Sequence, residues 1–178
     1  RNFNADHPDQ LWVADFTYIQ THSGWVYTAF IIDVFSRAIV GWKVSTRMNT
    51  DMVLDALEQA LHDRGMPKNV IHHSDRGVQY LSIRYTNRLE AANLRASVGT
   101  TGDSYDNALA ETVNGLYKTE VIEYLKADWQ GLADVQLATL NWVDWFNKKR
   151  VHSALGYVSP FEFEAMYYDK INPLGQVA

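Results

Sequence analysis

Three carboxylates, far apart in the sequence, are the side chains whose types and settings could support chemistry. Asp15 lies in an apolar, aromatic stretch, Asp75 follows a short apolar stretch, and Glu111 lies on a polar stripe of a predicted helix. Two or three converging carboxylates can hold a pair of Mg²⁺ or Mn²⁺ ions about 3.5–4 Å apart. Such a pair activates water or a 3′-hydroxyl and stabilises the leaving oxygen in phosphodiester cleavage or transfer.

Each carboxylate also has an ordinary structural explanation when it is taken alone. Alternation along a strand permits Val13, Asp15 and Thr17 to face outward, which would put Asp15 on a solvated face. Asp75 stands before Arg76 and Gly77, which is typical of a residue that caps a turn. Glu111 fits the exposed face of a helix. These alternatives stay open for the single residues, and only convergence would favour the metal site.

The stripe that carries Glu111 is defined by helical geometry. At about 100° per residue, four polar side chains fall within a wedge of roughly 60° on one helix. They are Asn107, Glu111, Asn114 and Lys118. The apolar residues Leu109, Val113, Leu116 and Tyr117 lie on another face, which is expected to contact the core.

Three stretches rich in β-branched and aromatic residues open the chain and predict β-strands. They cover residues 11–19, 25–33 and 38–44. The turns between them are short, which favours an antiparallel meander. A fourth, short strand is predicted at residues 70–73, directly before Ser74 and Asp75.

Helical periodicity dominates the rest of the chain. Apolar residues at spacings of three and four follow Thr50, a predicted N-cap, until Gly65 and Pro67 end the helix. Further helices are predicted over about 82–92, 106–125, 131–147 and 161–167, with a polar, glycine-rich loop at 97–104. This order indicates an α/β domain with a mixed central sheet, compatible with a ribonuclease-H-like topology.

Composition narrows the possible classes of protein. Hydrophobic residues make up 47% of the 178 residues, which is typical of a globular domain. The absence of cysteine excludes disulfide scaffolds, thiol nucleophiles and Cys-based metal sites. Apolar runs are too short to span a bilayer, and no signal peptide opens the chain, so a cytoplasmic setting is expected. The net charge of −5 opposes nucleic-acid binding, although bound cations would offset it.

Longer motifs surround the three carboxylates. Asp15 lies in LWVADFTYI (11–19), Asp75 in HSDRGVQY (73–80) and Glu111 in SYDNALAE (104–111), followed by FNKKRVHSALGYVSP (146–160). Thirty-five residues separate Asp75 from Glu111, and Lys118 follows seven residues after Glu111. In these motifs the chain resembles the catalytic core of bacterial insertion-sequence transposases of the DDE, retroviral-integrase type. It is similar to the insertion-sequence-three family, whose second open reading frame encodes this domain.

The resemblance implies a fold, a cofactor and a reaction. The fold would be a ribonuclease-H-like mixed five-stranded sheet flanked by helices, as in retroviral integrase cores. Asp15, Asp75 and Glu111 would be the catalytic and metal-binding triad for Mg²⁺ or Mn²⁺, with two ions expected. The reaction would be nicking at a transposon end, then attack of the freed 3′-hydroxyl on another phosphodiester. The partners would be end and target DNA and further copies of the chain, with no membrane and no small-molecule cofactor.

The resemblance also suggests residues that contact DNA. Lys118 matches the basic residue on the Glu-bearing helix, and Asn107 matches a residue at its start. For the basic run Lys148, Lys149 and Arg150, phosphate contact competes with an ordinary helix end, where cations are favoured.

Three residues around Asp75 are secondary candidates near the site, namely His73, Arg76 and Gln79. Residues His72, His73, Ser74 and Asp75 do not predict a nucleophilic triad, because neighbours on a strand point to opposite faces.

The domain organisation is expected to be one integrase-like core over residues 1–178. About 8–127 would hold the triad and about 128–178 would form a helical extension. The chain does not begin with Met, and the family's amino-terminal helix-turn-helix region, which reads the transposon ends, is expected outside it. Two alternatives stay open: a nuclease of the same fold that does not join strands, and an inert DNA-binding or assembly module.

Overall fold

A computed structural model of the chain describes residues 4–74, 79–80, 82–98, 108–124 and 128–173. In these ranges, five strands form one sheet with the order β3-β2-β1-β4-β5. The strands are β1 Leu11–Thr21, β2 Gly24–Asp33, β3 Ile39–Ser45, β4 Ile71–Ser74 and β5 Arg95–Val98. β1, β2 and β3 are antiparallel, whereas β4 and β5 run parallel to β1. The predicted mixed five-stranded sheet is therefore confirmed.

Helices cover both faces of this sheet. They are α1 Thr50–Asp63, α2 Ile83–Ala91, α3 Ala108–Tyr117, α4 Leu132–Lys148 and α5 Pro160–Ile171. A π-helical segment, Lys118–Glu123, continues α3, and a 3₁₀ turn, Ser153–Leu155, precedes α5. Across the described part of the chain, no helix has the length and apolar character needed to cross a membrane.

Several predicted boundaries differ from the observed ones. The N-cap of α1 is Asn49, not Thr50, because the Asn49 side chain accepts a hydrogen bond from the backbone N–H of Met52. The predicted loop at 97–104 begins too early, since pairing with β4 extends β5 to Val98. The predicted 106–125 helix changes from α- to π-helical hydrogen bonding at Lys118.

The two faces of the sheet bury separate apolar clusters. On one face, Trp12 and Ala14 of β1 pack with α1 and α2. On the other, Val13 packs with residues of α3 and α4, and α4 therefore belongs to the same core as the sheet. Val13 and Thr17, which flank Asp15 on its face of β1, are 2% and 6% exposed. The alternative that Asp15 lies on a solvated strand face is therefore wrong.

A buried polar cluster fixes α5 against the sheet; its members, the α5 docking cluster, are Asp9, Asp33, Ser36, Arg64 and Glu164. Arg64 donates hydrogen bonds to both Glu164 oxygens, at 2.8 and 2.7 Å, and to Asp9 at 2.8 Å. Ser36 Oγ lies 3.0 Å from Asp33 Oδ2 and 2.6 Å from Glu164 Oε2. One hydroxyl has one proton to donate, so satisfying both contacts requires a second proton on a carboxyl group.

Asp33 is the carboxyl group on which that proton is best placed. Burial raises the pKa of Asp33 from 3.8 to about 6, and the negative charge of Glu164 acts in the same direction. Hydrogen bonds from the backbone N–H groups of Ser36 and Asp9, and the charge of Arg64, only partly oppose this effect. Near pH 5, Asp33 is therefore mostly protonated in the folded protein and mostly ionised in the unfolded chain.

We expect this difference to make folding stability depend on pH. Because the folded pKa is raised, the stabilisation is complete below about pH 4 and is lost as pH rises through about 6. The side chain of Asn does not titrate. The free energy of unfolding of Asp33→Asn, measured relative to wild type, should therefore rise by about 2 kcal/mol between pH 4.5 and 7. Urea unfolding of both proteins across this range tests the prediction. Asp169→Asn, at an exposed position, is the control and should show the same pH dependence of stability as wild type. A stability difference between Asp33→Asn and wild type that stays constant with pH would contradict the prediction.

Candidate active site

The candidate site begins where β1 and β4 lie side by side. Ala14 of β1 is paired with Ser74, the last residue of β4. Asp15 directly follows Ala14, and Asp75 directly follows Ser74 in the sequence. Asp75 itself lies outside the described residues. Two of the three predicted carboxylates therefore follow paired positions on adjacent parallel strands.

A hydrogen bond joins Asp15 to helix α3. Asn114 Nδ2 donates to Asp15 Oδ2 over 3.1 Å, and the backbone N–H of Phe16 donates to Asp15 Oδ1 over 2.8 Å. Asp15 and Asn114 are both half-buried. The Asn114 contact fixes the amide orientation and holds the carboxylate in one rotamer.

Glu111 lies in the first turn of α3 as it is described, and its side chain is exposed. It precedes Asn114 by three positions, so the two side chains share one side of the helix. The hydrogen bond from Asn114 to Asp15 therefore turns the Glu111 side of α3 towards the part of β1 just beyond its pairing with β4. A carboxylate at this end of a helix is also favoured by the helix dipole.

The buried side of α3 explains why the helix takes this position. Val113 and Tyr117 are 2% and 0% exposed, as the predicted apolar face requires. The Tyr117 hydroxyl lies 3.1 Å from Thr28 Oγ1 on β2 and 2.7 Å from Thr139 Oγ1 on α4. The Tyr117 ring also meets Phe30 of β2 edge-on at 5.0 Å. These contacts lock α3 between the sheet and α4.

Lys118, the predicted DNA contact, begins the π-helical segment. Its Nζ lies 5.1 Å from the centre of the Tyr18 ring on β1. Among the residues that the structure describes, no carboxylate forms an ion pair with Lys118. Asn107, the other residue predicted on this stripe to contact DNA, lies outside the described residues.

The secondary candidates differ in their surroundings. His73 is fully buried on β4, and its Nδ1 lies 3.0 Å from Ser97 Oγ on β5. Gln79 Nε2 donates to the carbonyl of Met48 over 3.4 Å. Arg76 lies outside the described residues.

The basic run at the end of α4 divides into two kinds of environment. Lys148 and Lys149 are exposed, and Lys148 forms a surface ion pair with Asp144 at 2.7 Å. Arg150 is half-buried and donates to both Glu120 oxygens, at 2.9–3.0 Å. Glu120 belongs to the π-helical segment, so Arg150 ties the end of α4 to the continuation of the Glu111 helix.

His152 lies beside Arg150 and is neutral in the folded protein. Burial lowers the pKa of His152 to about 4, and the positive charge of Arg150 adds to the effect. Its ring packs edge-on against Phe146 at 4.9 Å. No pattern in the sequence had indicated the contact between Arg150 and Glu120.

The two carboxylates that the structure describes, Asp15 and Glu111, carry oxygen donors of the kind that Mg²⁺ and Mn²⁺ prefer. Asn114 orients the first of them. Among the residues that the structure describes, no group of three or more His, Asp or Glu side chains could hold a metal ion.

Comparisons with known proteins identify the family and the fold. Residues 5–104 match a family model described as integrase core domain, and residues 92–160 match a second model with the same description. The transposase for insertion sequence element IS629 of Shigella sonnei is 58% identical over 171 residues, which are 96% of this chain and 57% of that protein. Transposase InsF for insertion sequence IS3A of Escherichia coli (strain K12) is 39% identical over 166 residues, covering 92% and 57%. The chain thus spans less than two thirds of the length of these relatives.

Among solved structures, the HTLV-2 integrase catalytic core domain in complex with magnesium (trimeric form) matches with a TM-score of 0.70. The match covers 89% of this chain and 97% of that chain at 19% sequence identity. At this identity the similarity concerns the fold, and it confirms the predicted ribonuclease-H-like, integrase-type core.

Proposed function

The chain belongs to the integrase core domain family, as the catalytic core of an insertion-sequence transposase. From this premise we propose that it catalyses metal-dependent DNA nicking and strand transfer. The substrates are the transposon end, which is cut to give a 3′-hydroxyl, and a target phosphodiester, which that hydroxyl attacks. The attack forms one P–O bond and breaks another, and the leaving 3′-oxygen takes up a proton.

The observation that carries this proposal is the hydrogen bond between Asn114 and Asp15. It connects the helix that bears Glu111 to the strand that bears Asp15. Ala14 also pairs with Ser74, the residue that precedes Asp75 in the sequence, and this supports Asp75 as a further member of the set. Together, Asp15, Asp75 and Glu111 would form the donor set for two divalent cations.

Each residue has a distinct role in the proposed reaction. Asp15, Asp75 and Glu111 would hold Mg²⁺ or Mn²⁺, which would supply Lewis-acid stabilisation of the charge that develops in the reaction. Asn114 positions the Asp15 carboxylate and acts through it. Lys118 and the exposed Lys149 contribute positive charge for phosphate contacts. Arg150 already binds Glu120, which favours a structural contribution over direct DNA binding.

DNA and further copies of the chain are the proposed partners. Transposition requires two element ends to be brought together, which favours a multimer on DNA. The magnesium-bound integrase core described above is in a trimeric form, which supports self-association within this fold.

The proposed function is tested with a branched oligonucleotide that mimics a strand-transfer product. This substrate needs little recognition of transposon ends, so the domain of 178 residues can be used as it stands. With Mn²⁺, the expected result is resolution of the branch into a rejoined strand and a free 3′-end. Products that are cut but never joined would indicate the nuclease alternative, and bound metal without any reaction at saturating DNA would overturn the proposal.

Removing the Asn114 amide should weaken the site without unfolding the domain. Asn114→Leu preserves the volume but removes one of the hydrogen bonds that orient Asp15. Loss of such an orienting contact typically costs 10- to 100-fold in metal affinity or activity. We therefore expect an Mn²⁺ requirement raised about 10-fold and a rate reduced by 10- to 100-fold. Measuring branch resolution across an Mn²⁺ titration tests this. Asn141→Leu, at an exposed position of α4, is the control, and an Asn114→Leu titration curve identical to wild type would refute the role.

A further inference from the structure

Two large aromatic side chains near the β1–β2 turn are left half exposed. Tyr18 is 56% exposed and Trp25 is 50% exposed. Tyr18 is paired with Tyr27 and Gln20 with Trp25, so Tyr18 and Trp25 are diagonal neighbours on one face of the hairpin. Their ring centres are 5.3 Å apart and the rings are nearly perpendicular, at 85°. The pair forms a continuous aromatic surface that α1 and α2 do not cover.

A cation from the Glu-bearing helix borders this surface. Lys118 Nζ lies 5.1 Å from the centre of the Tyr18 ring, in the range of a cation–π contact. Within the described chain, Lys118 is paired with no carboxylate, so its charge remains available to an anion. An aromatic surface with an adjacent ammonium group has the chemistry that single-stranded nucleic acid recognises: bases stack on the rings and a phosphate meets the cation.

The surface also lies at a useful distance from the candidate active site. Tyr18 follows Asp15 by three residues on β1, which corresponds to about 10 Å at the rise of a strand. This distance equals about three nucleotide steps at 3.4 Å each. Asp15 and Tyr18 point to opposite faces of β1, but the β1–β4 pairing ends at Ala14, and Lys118 from the Asp15 face reaches the Tyr18 ring around this edge. A DNA strand that follows the same edge from Asp15 places a base one to three nucleotides away near Tyr18 and Trp25.

We propose that Tyr18 and Trp25 form a stacking site for an unpaired DNA base close to the reacting phosphodiester, with Lys118 contacting a neighbouring phosphate. The inference rests on the proposed function and specifies the state of its substrate. The site selects DNA that is frayed or flapped beside the bond to be cut or joined, because a paired base offers no free face. It stabilises the distorted end by stacking, without reading base edges.

The test measures DNA binding apart from catalysis. A fluorescein-labelled hairpin duplex with a three-nucleotide unpaired flank is titrated with the domain in Ca²⁺ and followed by anisotropy. Wild type is expected to bind this probe more tightly than the fully paired hairpin. Trp25→Ala and Tyr18→Ala should each weaken binding by about 5- to 100-fold, and Trp25→Phe should retain most of it.

An abasic version of the flank separates stacking from a structural effect. If the rings stack on a base, wild type and Trp25→Ala bind the abasic probe with equal affinity. Trp145→Ala, which removes another exposed tryptophan, should bind every probe like wild type. Equal wild-type affinity for flanked, abasic and fully paired DNA would overturn the stacking site. So would a Trp25→Ala loss that persists on the abasic probe, which would indicate a structural or protein-contact role.

Failure of this inference can be distinguished from failure of the proposed function. If wild type resolves the branched substrate but Trp25→Ala binds the flanked probe as wild type does, the stacking site is wrong and the catalytic assignment stands. If base-dependent binding is found but no branch is resolved, the catalytic assignment fails and the stacking site stands.

Discussion

Replacing Glu111 with Gln, or Asp15 with Asn, should abolish Mn²⁺-dependent resolution of branched DNA while the fold is retained. Each change keeps the shape of the side chain but removes the negative charge that binds a divalent cation. The electrostatic contribution of such a cation to the transition state is several kcal/mol, which corresponds to a rate loss on the order of 10³-fold or more. Asp75→Asn should behave in the same way, because it removes the third carboxylate of the proposed donor set.

Stability should change little in these variants. Glu111 is exposed, and a half-buried Asp15 carries a desolvation cost that the neutral Asn does not. Single-turnover assays should therefore be combined with urea unfolding and with calorimetric titration of Mn²⁺. Glu90→Gln, at an exposed position of α2, is the matched control and should keep full activity. Normal strand transfer by any one of the Asp15, Asp75 or Glu111 variants would contradict the assignment of that residue to the site.

Arg64→Ala should lower the free energy of unfolding by about 3–5 kcal/mol, the usual cost of leaving buried charges without their partner. The Arg64 side chain is 12% exposed, and its partners Asp9 and Glu164 are 16% and 10% exposed. Burial alone would lower the pKa of Arg64, but hydrogen bonds and charges from Glu164 and Asp9 raise it overall. Without the guanidinium, two carboxylates remain beside Asp33, and α5 loses its main polar attachment.

Urea unfolding at pH 7 measures this loss, and the chain offers a matched control. Arg84 pairs with Asp51 at 2.6 Å, but both side chains are more than 60% exposed. Arg84→Ala should therefore cost less than about 1 kcal/mol. The double variant Arg64→Ala/Glu164→Gln should lose less free energy of unfolding than the two single variants lose together. The reason is that it also removes one of the carboxylate charges that Arg64→Ala leaves without a partner. A loss below about 1 kcal/mol for Arg64→Ala would show that the cluster does not hold α5.

Local sequence pattern was enough to predict the elements of the fold. Strand and helix periods are properties of consecutive residues, and β1–β3, α1 and α4 appear within a few residues of their predicted ends. The differences arise where a contact decides the boundary. Asn49, not Thr50, caps α1 because its side chain reaches the Met52 N–H, and β5 extends to Val98 because β4 supplies a pairing partner.

The candidate site was only partly predictable. Residue type and motif spacing selected Asp15, Asp75 and Glu111, and their catalytic role stays a prediction. Helical periodicity placed Asn114 beside Glu111 but could not say which strand this side of α3 faces. The hydrogen bond from Asn114 to Asp15 joins residues 99 positions apart. It depends on Val113 and Tyr117 packing between β2 and α4, which no local pattern encodes.

The sequence by itself determined the order of the strands and helices along the chain, the buried face of α3, and the family to which the carboxylate motifs belong. The tertiary structure decided the partners of the polar side chains: Glu120 for Arg150, and Glu164 for Arg64, 30 and 100 positions away. Periodicity follows from the geometry of one helix or strand, so short windows of sequence contain it. A polar contact depends on how several elements pack together, and only the folded chain brings those side chains within hydrogen-bonding distance.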